Sequence, residues 1–301
     1  MILIDGKKVA QDIRSELKSD IGKLIAEGRK VPGLVTILVG DNPASQIYVR
    51  NKIKACEEVG MKTKAETASA DITETELLNL INRYNRDPEY HGILVQFPLP
   101  KHIDEEKVIE AVSPNKDVDG FHPINVGKLV IGKETFRSCT PAGIQELLIR
   151  YKIETKGKHV VVLGRSNIVG KPIANILIQK KDYANAVVTV CHSAAKNLSE
   201  YTKQADILIA AIGSAQFVKE NMVKDGVVVI DVGINRIEDK TKPTGYRVVG
   251  DVDFDNVSKK SSYITPVPGG VGPMTIAMLL KNTFEAFIKY GRQTPLESDG
   301  L

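Results

Sequence analysis

The sequence predicts an α/β protein of two lobes, and three observations carry that expectation. Short β-branched runs alternate with stretches of helical period along nearly the whole chain, the pattern of parallel sheets covered by helices. The alternation occurs twice, on either side of a loop-rich stretch over 112–140. The 301 residues are enough for two ordinary domains.

In the first set, LID is a short strand, and Val9, Ile13, Leu17, Ile21 and Leu24 then recur at helical spacing. GLVTILVG is a buried strand ended by the turn-forming DNPAS. A second helix runs through Cys56 and stops at Gly60, a glycine placed to cap it. Thr73 and Glu76 form a capping box for the helix ELLNLINRY. GILVQ is the next buried strand, broken by FPLP. A helix over 141–151 leads to the second set, whose strands are HVVVL, AVVTV, DILIAA, GVVVID, YRVVG and SYITPV. A strongly apolar last helix begins at Pro273 and is expected to pack back against the first lobe. The lobes are therefore drawn as 1–138 plus 276–301 and 139–275.

Composition excludes several classes. Hydrophobic residues make up 42% and charged residues 26%, the balance of a soluble globular chain. With no Trp, a net charge of +4 and no stripe of Lys and Arg interleaved with aromatics, a nucleic-acid partner is not expected. The longest apolar runs are strand-length, so no membrane span is expected, and charge arrives too early at the N-terminus for a signal-peptide core. Cys56, Cys139 and Cys191 lie far apart without a CxxC pair, which argues for a reducing, cytoplasmic compartment.

The most informative stretch is VVVLGRSNIVGKPIANILI, residues 160–178, a strand that meets Gly164 and a helix opened by Gly170. A triphosphate loop fails here: five residues separate the glycines, and Lys171 is followed by Pro172, which has no hydroxyl for magnesium. The dinucleotide fingerprint is also irregular, because Ser166 stands at its second glycine. Its physics survives. Gly164 permits a tight turn, the amides of the 165–170 turn are expected to face an anion, and a helix N-terminus adds favourable charge. The next strand should end in an acid for the ribose of NAD, yet it runs into Cys191-His192-Ser193, with Lys196 nearby and no carboxylate until Glu200. With Arg165 behind the first glycine, these features favour the 2′-phosphate of NADP. A structural turn with a solvated Arg165 is the alternative that the loop alone leaves open.

Tyr48 and Lys52 are four apart and share a helix face, a spacing equally found on an ordinary exposed helix. The Tyr-x-x-x-Lys of short-chain dehydrogenases lies downstream of the glycine loop, whereas this pair lies upstream. Gln96 falls at the carboxyl end of a buried strand, where open parallel sheets place ligands, although a capped strand end would look the same. Asp117 and Asp119 precede a glycine turn and suit either a metal or an amino-pyrimidine edge; no His or Cys sits at ligand spacing, so no metal is expected. Gly269, Gly270 and Gly272 would let backbone approach a ligand closely.

Together these segments resemble one family, the bifunctional methylenetetrahydrofolate dehydrogenase/methenyltetrahydrofolate cyclohydrolases. The matching stretches are YVRNK at 48–52, VQFPLP at 95–100, KDVDGF at 116–121, GRS at 164–166 with VGKP at 169–172, DVGIN at 231–235 and PVPGGVGPMT at 266–275. Two departures are visible: Phe97 stands where Leu is usual, and Ser138 where Pro is common. The resemblance implies an N-terminal three-layer αβα domain that binds folate and carries catalysis. It also implies a C-terminal Rossmann-like NAD(P)-binding domain, the two bridged by two long helices, and a homodimer formed through the cofactor domain. The implied activity is NADP-dependent oxidation of 5,10-methylenetetrahydrofolate followed by hydrolysis to 10-formyltetrahydrofolate, the one-carbon donor of purine biosynthesis. The alternative is a dehydrogenase without the hydrolytic step. By resemblance Lys52 is the acid–base group, Gln96 orients it, Tyr48 stacks on the aminobenzoate ring and Asp119 binds the pterin amino edge. Val95 and Phe97, with the segment Pro268, Gly269, Gly270, Val271 and Gly272, would complete the tetrahydrofolate contacts. For NADP the resemblance implies Gly164, Arg165, Ser166, Ile168 and Val169 of the loop, and Ser193. Ile212, Gly213, Ile234 and Thr275 would join them.

Overall fold

The computed structural model describes residues 1–242 and 245–291. In chain order the first elements are β1 (Ile2–Leu3), α1 (Gly6–Ala26), β2 (Gly33–Val39), α2 (Pro43–Val59), β3 (Lys62–Ala68), α3 (Glu74–Arg86) and β4 (Gly92–Val95). The middle of the chain forms α4 (Glu105–Ala111), α5 (Pro123–Val130), α6 (Cys139–Arg150), β5 (His159–Leu163), α7 (Gly170–Leu177) and β6 (Val187–Cys191). The rest is α8 (Leu198–Thr202), β7 (Ile207–Ala210), β8 (Val228–Asp231), β9 (Asn235–Glu238), β10 (Tyr246–Val249), α9 (Phe254–Val257), β11 (Tyr263–Ile264) and α10 (Val271–Tyr290). Among the described residues no helix is long and apolar enough to cross a membrane.

The chain divides into two compact units. One comprises Met1–Gln11, Lys128–Glu134 and Ser138–Met278; the other comprises Asp12–Gly127, Thr135–Arg137 and the chain from Leu279 on. The long helices α1 and α10 each contribute residues to both units. Of the 276–301 segment drawn from the sequence, 292–301 lie outside the described residues.

The unit that begins at Asp12 is built on a parallel sheet of order β3-β2-β4. All seven residues of β2 are buried, so both faces of the sheet are covered. On one face Val35, Ile37 and Val39 pack with Leu77 and Ile81 of α3 and Val108 of α4. Burial of each such side chain contributes about 1.5–3 kcal/mol. Local signals end α2 and start α3 where the sequence placed them, but α2 begins earlier, at Pro43, inside the DNPAS stretch read as a turn. Asn42 accepts from the amides of Ala44 and Ser45 at the start of α2, and Gly60 closes it at φ 84°. Thr73 and Glu76 cap α3 reciprocally. The strand β3 has no counterpart in the sequence reading. KTKAETA carries no apolar run because β3 is a sheet edge, with every residue exposed or half-buried, and only its pairing with β2 defines it.

A buried histidine in this unit gives an acid-sensitive element. His91 Nδ1 accepts the Gly33 amide at 3.1 Å, and the ring meets Phe287 edge-on at 4.9 Å. Burial, and secondarily the charge of Lys116, lowers its pKa from 6.5 to about 4. A depressed base contributes stability that is present above the unfolded pKa and is lost as pH falls from 6.5 toward 4, by up to about 3 kcal/mol. Urea midpoints measured across this window should fall less steeply for His91→Gln than for the wild type. Parallel curves would remove His91 from the acid response.

The other unit is a six-stranded, wholly parallel sheet of order β1-β11-β8-β7-β5-β6. From β5 the chain steps outward to β6 and then returns across β5 to β7, which sets a topological switch point between β5 and β7. Val161, Leu163, Leu208, Ala210 and Val229 form its buried centre. Two expectations are corrected here. The N-terminal strand, read as part of the first lobe, pairs with β11: Ile2 N–H donates to Ser262 O at 2.7 Å and Ile4 N–H to Ile264 O at 2.8 Å. YRVVG is not a strand of this sheet but pairs antiparallel with β9, a strand that the sequence reading lacks, as a separate two-stranded ribbon. The partner of β1 lies far away in sequence, which periodicity does not reveal, whereas β9 precedes β10 closely but its polar residues give no strand period. The last helix begins at Val271, two residues before Pro273.

Candidate active site

The glycine loop lies at the carboxyl end of β5, beside the switch point. Gly164 N–H donates to Cys191 O at 2.8 Å, and its φ of 134° is open only to glycine. A Cβ at Gly164 would collide with the carbonyl of Ala211, and one at Gly170 with the carbonyl of Gly164. Ser166, the residue in place of the second fingerprint glycine, caps α7: its hydroxyl accepts from Val169 N at 3.1 Å and Gly170 N at 3.3 Å. The expectation that every amide of the 165–170 turn faces an anion is thus corrected, since Ser166 occupies the last two. The exposed amides of 165–168 take no protein partner among the described residues, so a cradle for a phosphate remains. Ile168 is 53% exposed there. Because Leu163 pairs with Cys191, Arg165 and Ser193 stand two residues beyond matched positions of adjacent strands, both exposed. A cation at one strand end and a hydroxyl at the neighbouring one, with no carboxylate between Cys191 and Glu200, suit a ribose carrying phosphate.

The turn after β7 carries Ile212 and Gly213, and the loop after β8 carries Ile234, which is 60% exposed. Ile234 and the segment 268–272 line one cavity of about 150 Å³ with Val248 and Pro266. Gly269 adopts φ 107°, and the Val267–Pro268 peptide is cis, as is Phe97–Pro98. Thr275 is held to Thr140 by a hydroxyl contact of 2.9 Å. A larger depression of about 410 Å³, lined by Lys152, Lys156, Lys180 and Lys181, adjoins the amino ends of β5 and β6 and holds none of these residues. The sequence reading assigned no role to Asp231, though it opens the matching stretch DVGIN, and did not single out Asp251; both are buried carboxyls. Burial raises Asp231 to about 7, against three backbone N–H donors that favour its charge.

In the other unit, Lys52 and Gln96 meet. Lys52 Nζ donates to Gln96 Oε1 at 3.1 Å, and Gln96 Nε2 donates to Phe97 O at 2.7 Å, which turns the amide oxygen toward the lysine. Helix α2 supplies Lys52, half-buried, with Tyr48 one turn earlier and 51% exposed. The end of β4 supplies Gln96, whose N–H donates to Ile37 O at 2.8 Å. One turn beyond Lys52, burial pushes the Cys56 thiol up to about 12, so it offers no thiolate.

The acids at 117 and 119 separate in role. Asp117 is buried, and its two oxygens accept from Gly120 N, Phe121 N, His122 N and Asn125 Nδ2 at 2.8–3.2 Å. Those bonds hold the loop that presents Asp119 at the rim of a pocket walled by Val95, Phe97, Ile109 and Phe121. The pocket is shallow, with a volume of about 20 Å³.

A doubly wound sheet with this loop at its switch point, joined in one chain to a second α/β unit bearing a lysine–amide pair, defines a two-domain nicotinamide-dinucleotide enzyme. Residues 138–290 match the family model for the tetrahydrofolate dehydrogenase/cyclohydrolase NAD(P)-binding domain, and residues 4–119 match that for the catalytic domain. The chain belongs to the tetrahydrofolate dehydrogenase/cyclohydrolase family. It is 60% identical to the bifunctional protein FolD of Prosthecochloris aestuarii over 96% of this chain and 99% of that protein. The crystal structure of the bifunctional FolD enzyme from Campylobacter jejuni matches with a TM-score of 0.90 at 53% identity, covering 95% of this chain and 98% of the other. The Trypanosoma brucei dehydrogenase-cyclohydrolase, solved in complex with NADP and an inhibitor, matches with a TM-score of 0.91 at 40% identity over 97% and 99%.

Proposed function

We propose that this protein oxidises 5,10-methylenetetrahydrofolate to 5,10-methenyltetrahydrofolate with NADP and then hydrolyses the product to 10-formyltetrahydrofolate. The observation that carries the second activity is the Lys52–Gln96 hydrogen bond at the carboxyl end of β4. Oxidation removes a hydride from the bridging carbon, and bound NADP supplies the acceptor. The protein's own part in that step is to hold the reacting partners. The loop at 164–169, with Arg165 and Ser193, would bind the phosphates. Ile212, Gly213, Ile234 and Thr275 would contact the rest of the dinucleotide, and the segment 268–272 would approach the folate.

Hydrolysis adds water to a cationic carbon, opens one carbon–nitrogen bond and releases one proton. In its neutral form the Lys52 amine accepts a proton from the attacking water; as the ammonium it returns one to the departing nitrogen. Gln96 holds the amine in place throughout, Tyr48 would stack on the aminobenzoate ring, and Asp119 would accept from the pterin amino edge. A homodimer and a cytoplasmic location belong to the same proposal. The exposed edge strand β6, with Val187 62% and Val190 42% exposed, supports the first, and three buried free cysteines support the second.

Mixing methylenetetrahydrofolate with NADP should produce the methenyl absorbance, which then decays. A rise without decay would leave a dehydrogenase alone, and no rise would refute the reading. In the same assay Arg165→Ala should lower the preference for NADP over NAD by about tenfold, as expected for loss of a charge-assisted phosphate contact. An unchanged preference would remove Arg165 from that role.

A further inference from the structure

We propose that Asp251 is a positioning residue for the nicotinamide nucleotide: its buried carboxylate locks the turn after β7 to the loop after β8 and so fixes the surface offered by Ile212, Gly213 and Ile234. Asp251 is fully buried. Its Oδ2 accepts the amides of Ile212 and Gly213, each at 2.8 Å, and its Oδ1 accepts Asn235 Nδ2 at 2.9 Å. Its own N–H donates to Asp231 Oδ1 at 2.9 Å. Asp231 ends β8 and also accepts Gly233 N and Val252 N, each at 3.0 Å. Two carboxyls thus gather the backbone of three segments just where the pairings of β7 with β8 and of β9 with β10 end. Neighbouring glycines make the room: a Cβ at Gly233 would run into Asp251, and one at Gly250 into Asp231.

A buried charge is costly unless every lone pair it presents is used. Here the donors come from the two loops that expose Gly213 and Ile234 to solvent. An apolar side chain at 251 could fill the space, but it could not set the direction of the 212 and 213 amides. The arrangement therefore orients a surface.

This inference rests on the NADP reading above. NADP binding, followed by isothermal titration calorimetry, and hydrolysis of methenyltetrahydrofolate without nucleotide are measured for the wild type, Asp251→Ala, Asp251→Asn and Asn235→Ala. Asp251→Ala should weaken NADP binding by about tenfold or more, the scale of losing a charged acceptor, with hydrolysis changed by less than about twofold. Asn235→Ala frees only one loop and should lose about threefold. Asp251→Asn should recover most of the affinity, because one oxygen still accepts and the Asn235 amide can turn to meet the new NH₂. Unchanged NADP affinity in Asp251→Ala overturns the inference, as does a joint fall of affinity, hydrolysis and melting temperature. If Asp251→Ala does not fold, an unaltered affinity in Asn235→Ala overturns it. A wild type that fails to bind NADP overturns the functional reading itself, which separates the two failures.

Discussion

Lys52→Met should lower the hydrolysis of methenyltetrahydrofolate by about 10²–10⁴-fold, the range that a positioned acid–base group supplies. Methionine keeps the length and the helix propensity of lysine, and among the described residues Lys52 makes one side-chain bond, to Gln96 Oε1. The substitution therefore removes the proton carrier with little disturbance of α2. Folate binding should persist, because Tyr48, Asp119 and the pocket around Phe97 are unaltered. Decay of the methenyl absorbance and equilibrium binding of folate, measured side by side, separate chemistry from binding. Hydrolysis at the wild-type rate would exclude Lys52 from the mechanism.

Gly164→Ala should weaken NADP binding by more than about tenfold while hydrolysis without nucleotide persists. Two costs coincide at this position. A backbone at φ 134° disfavours any residue with a Cβ, and that Cβ would meet the carbonyl of Ala211. Strain of this kind costs on the order of 1–3 kcal/mol, which in a binding loop is about a ten- to hundredfold loss. Relief would require the loop to leave β7, and with it the amides of 165–168 would lose their arrangement. Lys52 and Gln96 belong to the other compact unit. Nucleotide titration and nucleotide-free hydrolysis test the separation directly, and intact affinity would dissociate the loop from the cofactor.

The two substitutions probe different kinds of legibility. The glycine loop could be read because its chemistry is local: a strand, a turn that only glycine permits and a helix start lie within one short stretch. Its details were less accessible. Ser166 looked like a defect in the fingerprint, yet its hydroxyl caps α7 and takes two amides for itself. Lys52 and Gln96 are 44 residues apart and each looked ordinary alone; the resemblance to a family paired them, and the fold brings them to 3.1 Å. Asp117 and Asp119 looked like equals two positions apart. Burial tells them apart, because Asp117 spends both oxygens on its own loop.

By itself the sequence determined the alternation of strands and helices, the caps at Gly60 and Thr73, the glycine loop and the family to which its motifs belong. All of these are written in neighbouring residues or in short repeating spacings. Tertiary structure alone decided that β1 joins the six-stranded sheet and that the polar KTKAETA is an edge strand. It also decided that Asp251 collects donors from two loops. Backbone pairing and buried hydrogen bonds join groups distant along the chain, and their strength comes from exclusion of water, which no local pattern of residues records.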